Sequence, residues 1–238
     1  MNIGIFAIFA IVSFTSLSPS HWGQTAFMAI ANDVWPSCYH GKMQSPISIS
    51  TKHLVFDSNL TPLKMSGSDK QLQLYAFNFV LYPNYSVALS KPNGLAVISV
   101  FFKIGDQSSA DMAALLSTAE QVQLKGQLKR LNGLLLDAIL PSILQYMTYQ
   151  GSLPFPACYE TVTWIVLNQP IIITETQLKS LRKLRIAPFH GSGSMADNYR
   201  TVQKLNNRSV RTNIDFEKTK PYCSVQSQRS YMATSLLK

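Results

Sequence analysis

Apolar residues fall along this chain in short runs that alternate with polar ones, and residues 95–104 carry the strongest of these patterns. Ala96, Ile98, Val100, Phe102 and Ile104 recur at every second position, while Ser99 and Lys103 interrupt the opposite side. A period of two with one buried side predicts a central strand. Residues 162–167 form a second buried strand, and residues 47–49 and 72–80 alternate or cluster as shorter ones would. Residues 111–136 predict helix or irregular helical turns, broken near Gly126 and Gly133, and Pro141 ends the apolar stretch that follows. Leu178, Leu181 and Leu184 recur at helical spacing, with Lys179, Arg182 and Lys183 largely on other faces. Thr174, with Gln177 three residues later, makes a capping box that opens this helix. A Gly191-Ser192-Gly193-Ser194 loop comes next, no internal repeat is visible, and the whole reads as α+β with a dominant sheet.

Composition narrows the class. With 238 residues, 46% hydrophobic and 14% charged, the chain can bury one sizeable core, and one domain is the simplest reading. Residues 3–17 are apolar but too few to span a bilayer, and Ser18-Pro19-Ser20 offers small residues for cleavage before His21. Residues 1–20 therefore read as a secretion signal, although no Lys or Arg precedes the apolar stretch; a buried amino-terminal helix is the competing reading. No later run approaches the roughly 20 apolar residues of a membrane anchor. Residues 21–217 would form the domain and 218–238 a polar tail. Three cysteines in a secreted chain allow at most one internal bridge, with one thiol left over. The net charge of +9 raises a nucleic-acid partner. The basic residues are scattered, however, apart from small clusters at 125–130 and 179–185, and no nucleic-acid motif surrounds them. A solvated face accounts for them.

Three segments carry a family resemblance. Trp35, Cys38, Gly41, Lys42 and the run Gln44-Ser45-Pro46-Ile47-Ser48-Ile49 come first; Tyr149-Gln150-Gly151-Ser152-Leu153, with Cys158, Glu160, Val162 and Trp164, come second. Asp197-Asn198-Tyr199-Arg200-Thr201-Val202-Gln203, with Leu205-Asn206-Asn207-Arg208, closes the set. With Gly94-Leu95-Ala96-Val97 between them, these segments stand in the order found in the α-type carbonic anhydrases of animals, which the chain resembles over residues 21–217. The resemblance implies a large, twisted, mostly antiparallel sheet flanked by short helices. It also implies a disulfide between Cys38 and Cys158, worth on the order of 5 kcal/mol in the chain-entropy model. Cys223 then stays free or pairs with another molecule. Between Gln44 and Gly94 the chain is several strands shorter than the family pattern, so central strands are missing from the expected sheet. Residues 60–74 still resemble an early strand of the family, and Asn84-Tyr85-Ser86 leads into the later region.

The missing part is the part that does chemistry. Members of the family hold zinc with three imidazoles and leave the fourth position to a water that ionises near neutral pH. No histidine lies between His53 and His190. The nearest analogue of the third-ligand strand is Phe77-Asn78-Phe79-Val80, which puts Asn78 where histidine is expected; reading Ala76-Phe77-Asn78 as an earlier strand supplies no ligand either. His21, His40, His53 and His190 read as surface or structural residues. After Gly-Ser-Leu the family orients its hydroxide with a Thr-Thr pair, and this chain has Pro154-Phe155, an imino acid without an N–H and a bulky ring. The family's proton-relay histidine has no counterpart. No catalytic residue, metal ligand or cofactor is therefore expected.

The retained segments read as architecture, with Gln44-Ser45-Pro46 and Asn198-Tyr199-Arg200 in packing and buried hydrogen bonding and Trp164 in the core. Sequons at Asn84 and Asn207 are candidate N-glycan acceptors, and Asn59, followed closely by Pro62, is the weakest of the three. The leading expectation is a secreted carbonic-anhydrase-like protein without hydratase activity, in a binding or matrix role and with no partner named by the sequence. The alternatives are an active zinc enzyme using an unrecognised site, and a shortened splice form or gene model of an active parent.

Overall fold

A computed structural model describes residues 35–63, 81–124, 127–129, 136–141, 145–185 and 200–216. The expected strands at 72–80, the Gly-rich loop at 191–194, Asn78, Asn198, Tyr199, His21, His190 and Cys223 lie outside them.

Helix α1 (Pro36–His40) opens the described chain, and a 3-10 turn (Thr51–His53) leads into β1 (Leu54–Phe56). Next come α2 (Tyr85–Ala88), β2 (Leu95–Ser99) and β3 (Phe102–Ile104). They are followed by α3 (Ala110–Ala119), α4 (Leu136–Ile139), β4 (Tyr146–Gly151) and β5 (Val162–Leu167). The last elements are β6 (Ile171–Ile173), α5 (Glu175–Leu181) and β7 (Val210–Thr212). Five strands form one sheet in the order β1-β7-β4-β5-β2, and β3 pairs with β6 in a separate two-stranded sheet.

The α+β expectation holds, and the described sheet is mixed. β4 runs antiparallel to β5 and β7, whereas β1–β7, β2–β5 and β3–β6 are parallel. Connection length accounts for the β4–β5 pair and permits the parallel ones, although β4 and β7, also far apart in the chain, pair antiparallel. The short β4–β5 link permits only an antiparallel return, while the parallel partners are far apart in the chain and joined by long crossovers.

Period-two alternation sends the β4 and β5 side chains to opposite sides, and both sides are covered. Val162, Trp164 and Val166 join Met147 and Tyr149 in a cluster with Ile47, Ile49, Leu95, Val97, Leu153 and Val210. Ile165, Leu167 and Tyr146 join a second cluster with Met112 and Leu116 of α3, together with Ile98, Ile139, Leu140, Ile171 and Ile173. Met112 and Leu116 stand one helical turn apart, and burying each contributes roughly 1.5–3 kcal/mol. Ser109 caps α3 by accepting from the Met112 amide at 3.2 Å.

The predicted strand at 95–104 needs correction. It is two strands in two sheets, parting at Val100 and Phe101, and β2 is the terminal strand of the described five. Leu95 and Val97 bury toward one cluster and Ile98 toward the other, while Ile104 is 41% exposed. The expected single apolar face does not form, because both sides of β2 are covered and the chain leaves that sheet before Phe102. The helix expected over 111–136 ends at Ala119, and residues 47–49 form isolated bridges instead of a strand; at two other places the sequence reading matches closely. β5 spans the predicted 162–167, and Thr174 and Gln177 form the reciprocal capping box at the start of α5. Leu178 and Leu181 pack on the α3 cluster, and Leu184 is buried. Lys179 pairs with exposed Glu175 on the solvent side, as a solvated face implies.

Candidate functional site

The three motif segments converge on one corner of the sheet. Ser45 and Ser152 lock together reciprocally: the Ser45 amide donates to Ser152 Oγ at 3.0 Å and the Ser152 amide donates to Ser45 Oγ at 3.1 Å. Both residues are fully buried. The Tyr149 hydroxyl donates to Ser45 Oγ at 3.3 Å, and the Trp164 indole N–H donates to the Ser152 carbonyl at 3.2 Å. Gln44 spans the gap beside them. Its amide nitrogen donates to the Cys158 carbonyl (3.1 Å) and to Glu160 Oε1 (2.8 Å), while its amide oxygen accepts from Arg200 Nη1 at 2.8 Å. Glu160 Oε1 also takes the Met43 amide at 2.6 Å.

Two arginines close the corner. Arg200 reaches the carbonyls of Ser45 (3.0 Å) and Cys38 (3.0 Å). Arg208 donates to the carbonyls of Leu205, Gln150, Gln44 and Lys204, and its guanidinium lies 5.8 Å from the centre of the Tyr149 ring. Burial pulls both guanidinium groups below their ordinary pKa and pushes the Tyr149 phenol above its own, against the opposing effect of its hydrogen bond with Ser45. Gly151 is required here, because a Cβ at this position would run into Ser45 Oγ and come within 2.9 Å of the Trp164 and Tyr149 rings. A disulfide joins Cys38 to Cys158 across a sequence separation of 120, with Cα atoms 5.0 Å apart. It ties α1 to the loop after β4.

Beside this corner the same sheet face is hydrocarbon. Val97, Leu153, Val162, Trp164 and Val166 form a buried wall, with Phe155 partly buried against it. A cavity of about 110 Å³ lies farther along, lined mainly by Ile47, Ile49, Phe101, Met147, Trp164 and Val166. Among the described residues, neither the wall nor the cavity offers an imidazole, thiolate or carboxylate.

A family model for eukaryotic-type carbonic anhydrase matches residues 69–214, more than half of the 238-residue chain. The chain belongs to the eukaryotic-type carbonic anhydrase family. It is 28% identical to carbonic anhydrase-like protein 2 of Caenorhabditis elegans over 84% of its own length and 77% of that protein. It is 37% identical to carbonic anhydrase-like protein 1 of the same organism over 60% of its length and 40% of that protein.

Carbonic anhydrases of this type work through zinc, and the described residues bring together no ligand set that fits the ion. Among the described residues, no group of three or more His, Cys, Asp or Glu comes together as a metal site. His40 ends α1 and His53 ends the 3-10 turn, both exposed and on separate elements. Cys38, which neighbours His40, is committed to the disulfide and cannot act as a thiolate. No hydration step follows from these groups.

Sequence reasoning named Gln44, Ser45 and Arg200 as partners in buried hydrogen bonding, and the corner contains them. It did not foresee the Ser45–Ser152 exchange, the Tyr149 hydroxyl contact or the reach of Glu160 to the Met43 amide. These link residues about a hundred positions apart, so no local spacing marks them. The recurrence of Ser, Gln and Arg inside segments otherwise rich in core residues was the available signal.

Proposed function

We propose that this protein is a secreted carbonic-anhydrase-like module that does not hydrate carbon dioxide and acts by binding, at a cell surface or in the extracellular matrix. The observation that carries this reading is the absence of histidine between His53 and His190 in a chain whose corresponding wall is aliphatic and aromatic. Hydratase chemistry needs a cation strong enough to bring a water pKa from 15.7 to about 7, and three neutral imidazoles are what hold that cation in the family. Pro154-Phe155 adds a second, independent reason. The position after Gly-Ser-Leu has no hydroxyl to orient a nucleophile and no proline N–H to replace one. Secretion is supported by the apolar residues 3–17 and by the Cys38–Cys158 bridge, which suits an oxidising compartment.

The test is metal content together with turnover. Protein purified from a secreting host should carry zinc far below one equivalent per chain and leave carbon dioxide hydration at the uncatalysed rate. Stoichiometric zinc with hydration that a sulfonamide blocks would overturn the proposal.

A further inference from the structure

We infer that Asn84 and Asn207 carry N-linked glycans and that Asn59 does not. The inference rests on the secreted reading and adds the chemistry of the surface that a partner would meet. All three asparagines are exposed and begin an Asn-X-Ser/Thr sequon, so motif and exposure do not separate them. The use each fold position makes of the amide nitrogen does.

Asn84 is the N-cap of α2, and its side-chain oxygen accepts from the Val87 amide at 3.0 Å. That bond fixes the amide plane with Nδ2 turned away from the helix, and Nδ2 has no acceptor among the described residues. A sugar on Nδ2 leaves the capping oxygen untouched, so glycan and cap coexist. Ser86 stands exposed two residues on. Asn207 sits in a turn with φ 61 that is anchored on both sides. Asn206 donates to the Lys42 carbonyl at 2.8 Å, and Arg208 is held by its four carbonyls. The anchored neighbours leave the Asn207 side chain in solvent, where a bulky polar glycan belongs, with Ser209 also exposed.

Asn59 differs. Its amide nitrogen donates to Asp57 Oδ1 at 3.2 Å and its backbone N–H to the same oxygen at 2.9 Å, while Asp57 Oδ2 pairs with Arg211 at 2.9 Å. A glycan there would crowd the ion pair that joins β1 to β7, and Pro62 stiffens the chain just beyond the sequon.

In the reaction, Nδ2 attacks the anomeric carbon of an oligosaccharide carried on a lipid diphosphate. The carbon–nitrogen bond forms as the carbon–oxygen bond to the diphosphate breaks, the leaving diphosphate takes the electron pair, and Nδ2 gives up one proton.

The experiment expresses the full chain in a secretory eukaryotic host in two arms, one with its own residues 1–20 and one behind a leader known to secrete. Digestion with a peptide N-glycosidase should remove two mobility steps. Ser86→Ala and Ser209→Ala should each abolish one step while leaving the Asn84 cap and the Arg208 anchor in place, and Thr61→Ala should change nothing. Glycans in the second arm alone would refute secretion and leave the assignment of sites standing. No glycan in either arm, a step insensitive to Ser86→Ala or Ser209→Ala, or a step lost in Thr61→Ala would overturn the inference.

Discussion

Two adjoining regions of one sheet face are made of opposite materials. The corner around Ser45 and Ser152 engages buried amide, hydroxyl and guanidinium groups in hydrogen bonds, whereas the wall of Val97, Leu153, Val162 and Val166 consists of hydrocarbon. Trp164 belongs to both, its ring in the wall and its N–H on the Ser152 carbonyl. The difference separates what the fold needs from what the family's chemistry needs. A buried polar corner cannot lose one member cheaply, because each loss strands its partners without water. A metal site is under no such structural constraint, since replacing its ligands with apolar side chains leaves a packed core intact. Folding alone is therefore enough to keep the corner.

Trp164→Ala attacks both regions at once and should have the largest effect. Removing the ring opens a cavity in the wall, and removing the N–H leaves the Ser152 carbonyl without that donor. A loss of about 3–5 kcal/mol is expected, measured as the shift in denaturant midpoint. A loss below about 1 kcal/mol would show that the wall is loosely packed.

Ser45→Ala tests the corner alone. It removes the oxygen that accepts from the Ser152 amide and the Tyr149 hydroxyl, and adds no clash. The expected cost is about 1–3 kcal/mol for the stranded donors. Folding should survive, because Gln44, Arg200 and Arg208 retain their contacts. If Ser45→Ala costs as much as Trp164→Ala, the corner and not the apolar packing dominates this face.

How much of this was legible in the sequence depended on how local the cause was. The α5 capping box was readable because Thr174 and Gln177 satisfy each other within one turn. β5 was readable because a short apolar run broken only by Thr163 and closed by Asn168 and Pro170 has few other uses. The faces of residues 95–104 were not. Whether Val97 or Ile98 is buried depends on what covers each side of the sheet, and Ile104 is exposed because β3 belongs to another sheet. Alternation alone cannot report either fact. For the site, the family's disulfide positions were visible as Cys38 and Cys158. The corner's wiring was not, because Gln44 meets Glu160 and Arg208 across most of the chain.

The smallest expected effect is also the most specific to the corner, and it concerns alkaline pH. Burial raises the Tyr149 phenol above its ordinary 10.0, so the folded chain holds this proton more tightly than the unfolded chain does. The stability linked to that proton is present in full below pH 10.0 and is lost as pH rises from there through the folded value. Tyr146, also raised by burial, adds a loss of the same sign. Tyr149→Phe keeps the ring beneath Arg208 and removes only the hydroxyl. At neutral pH it should cost about 0.5–1.5 kcal/mol, the net worth of one hydrogen bond. Above pH 10.0 its stability should fall less steeply than that of the parent chain, with Tyr146 contributing to the slope that remains. Denaturant midpoints at neutral and alkaline pH decide it. Identical slopes in the two proteins would mean that the Tyr149 phenol ionises without disturbing the corner, and that the Ser45–Ser152 exchange holds without it.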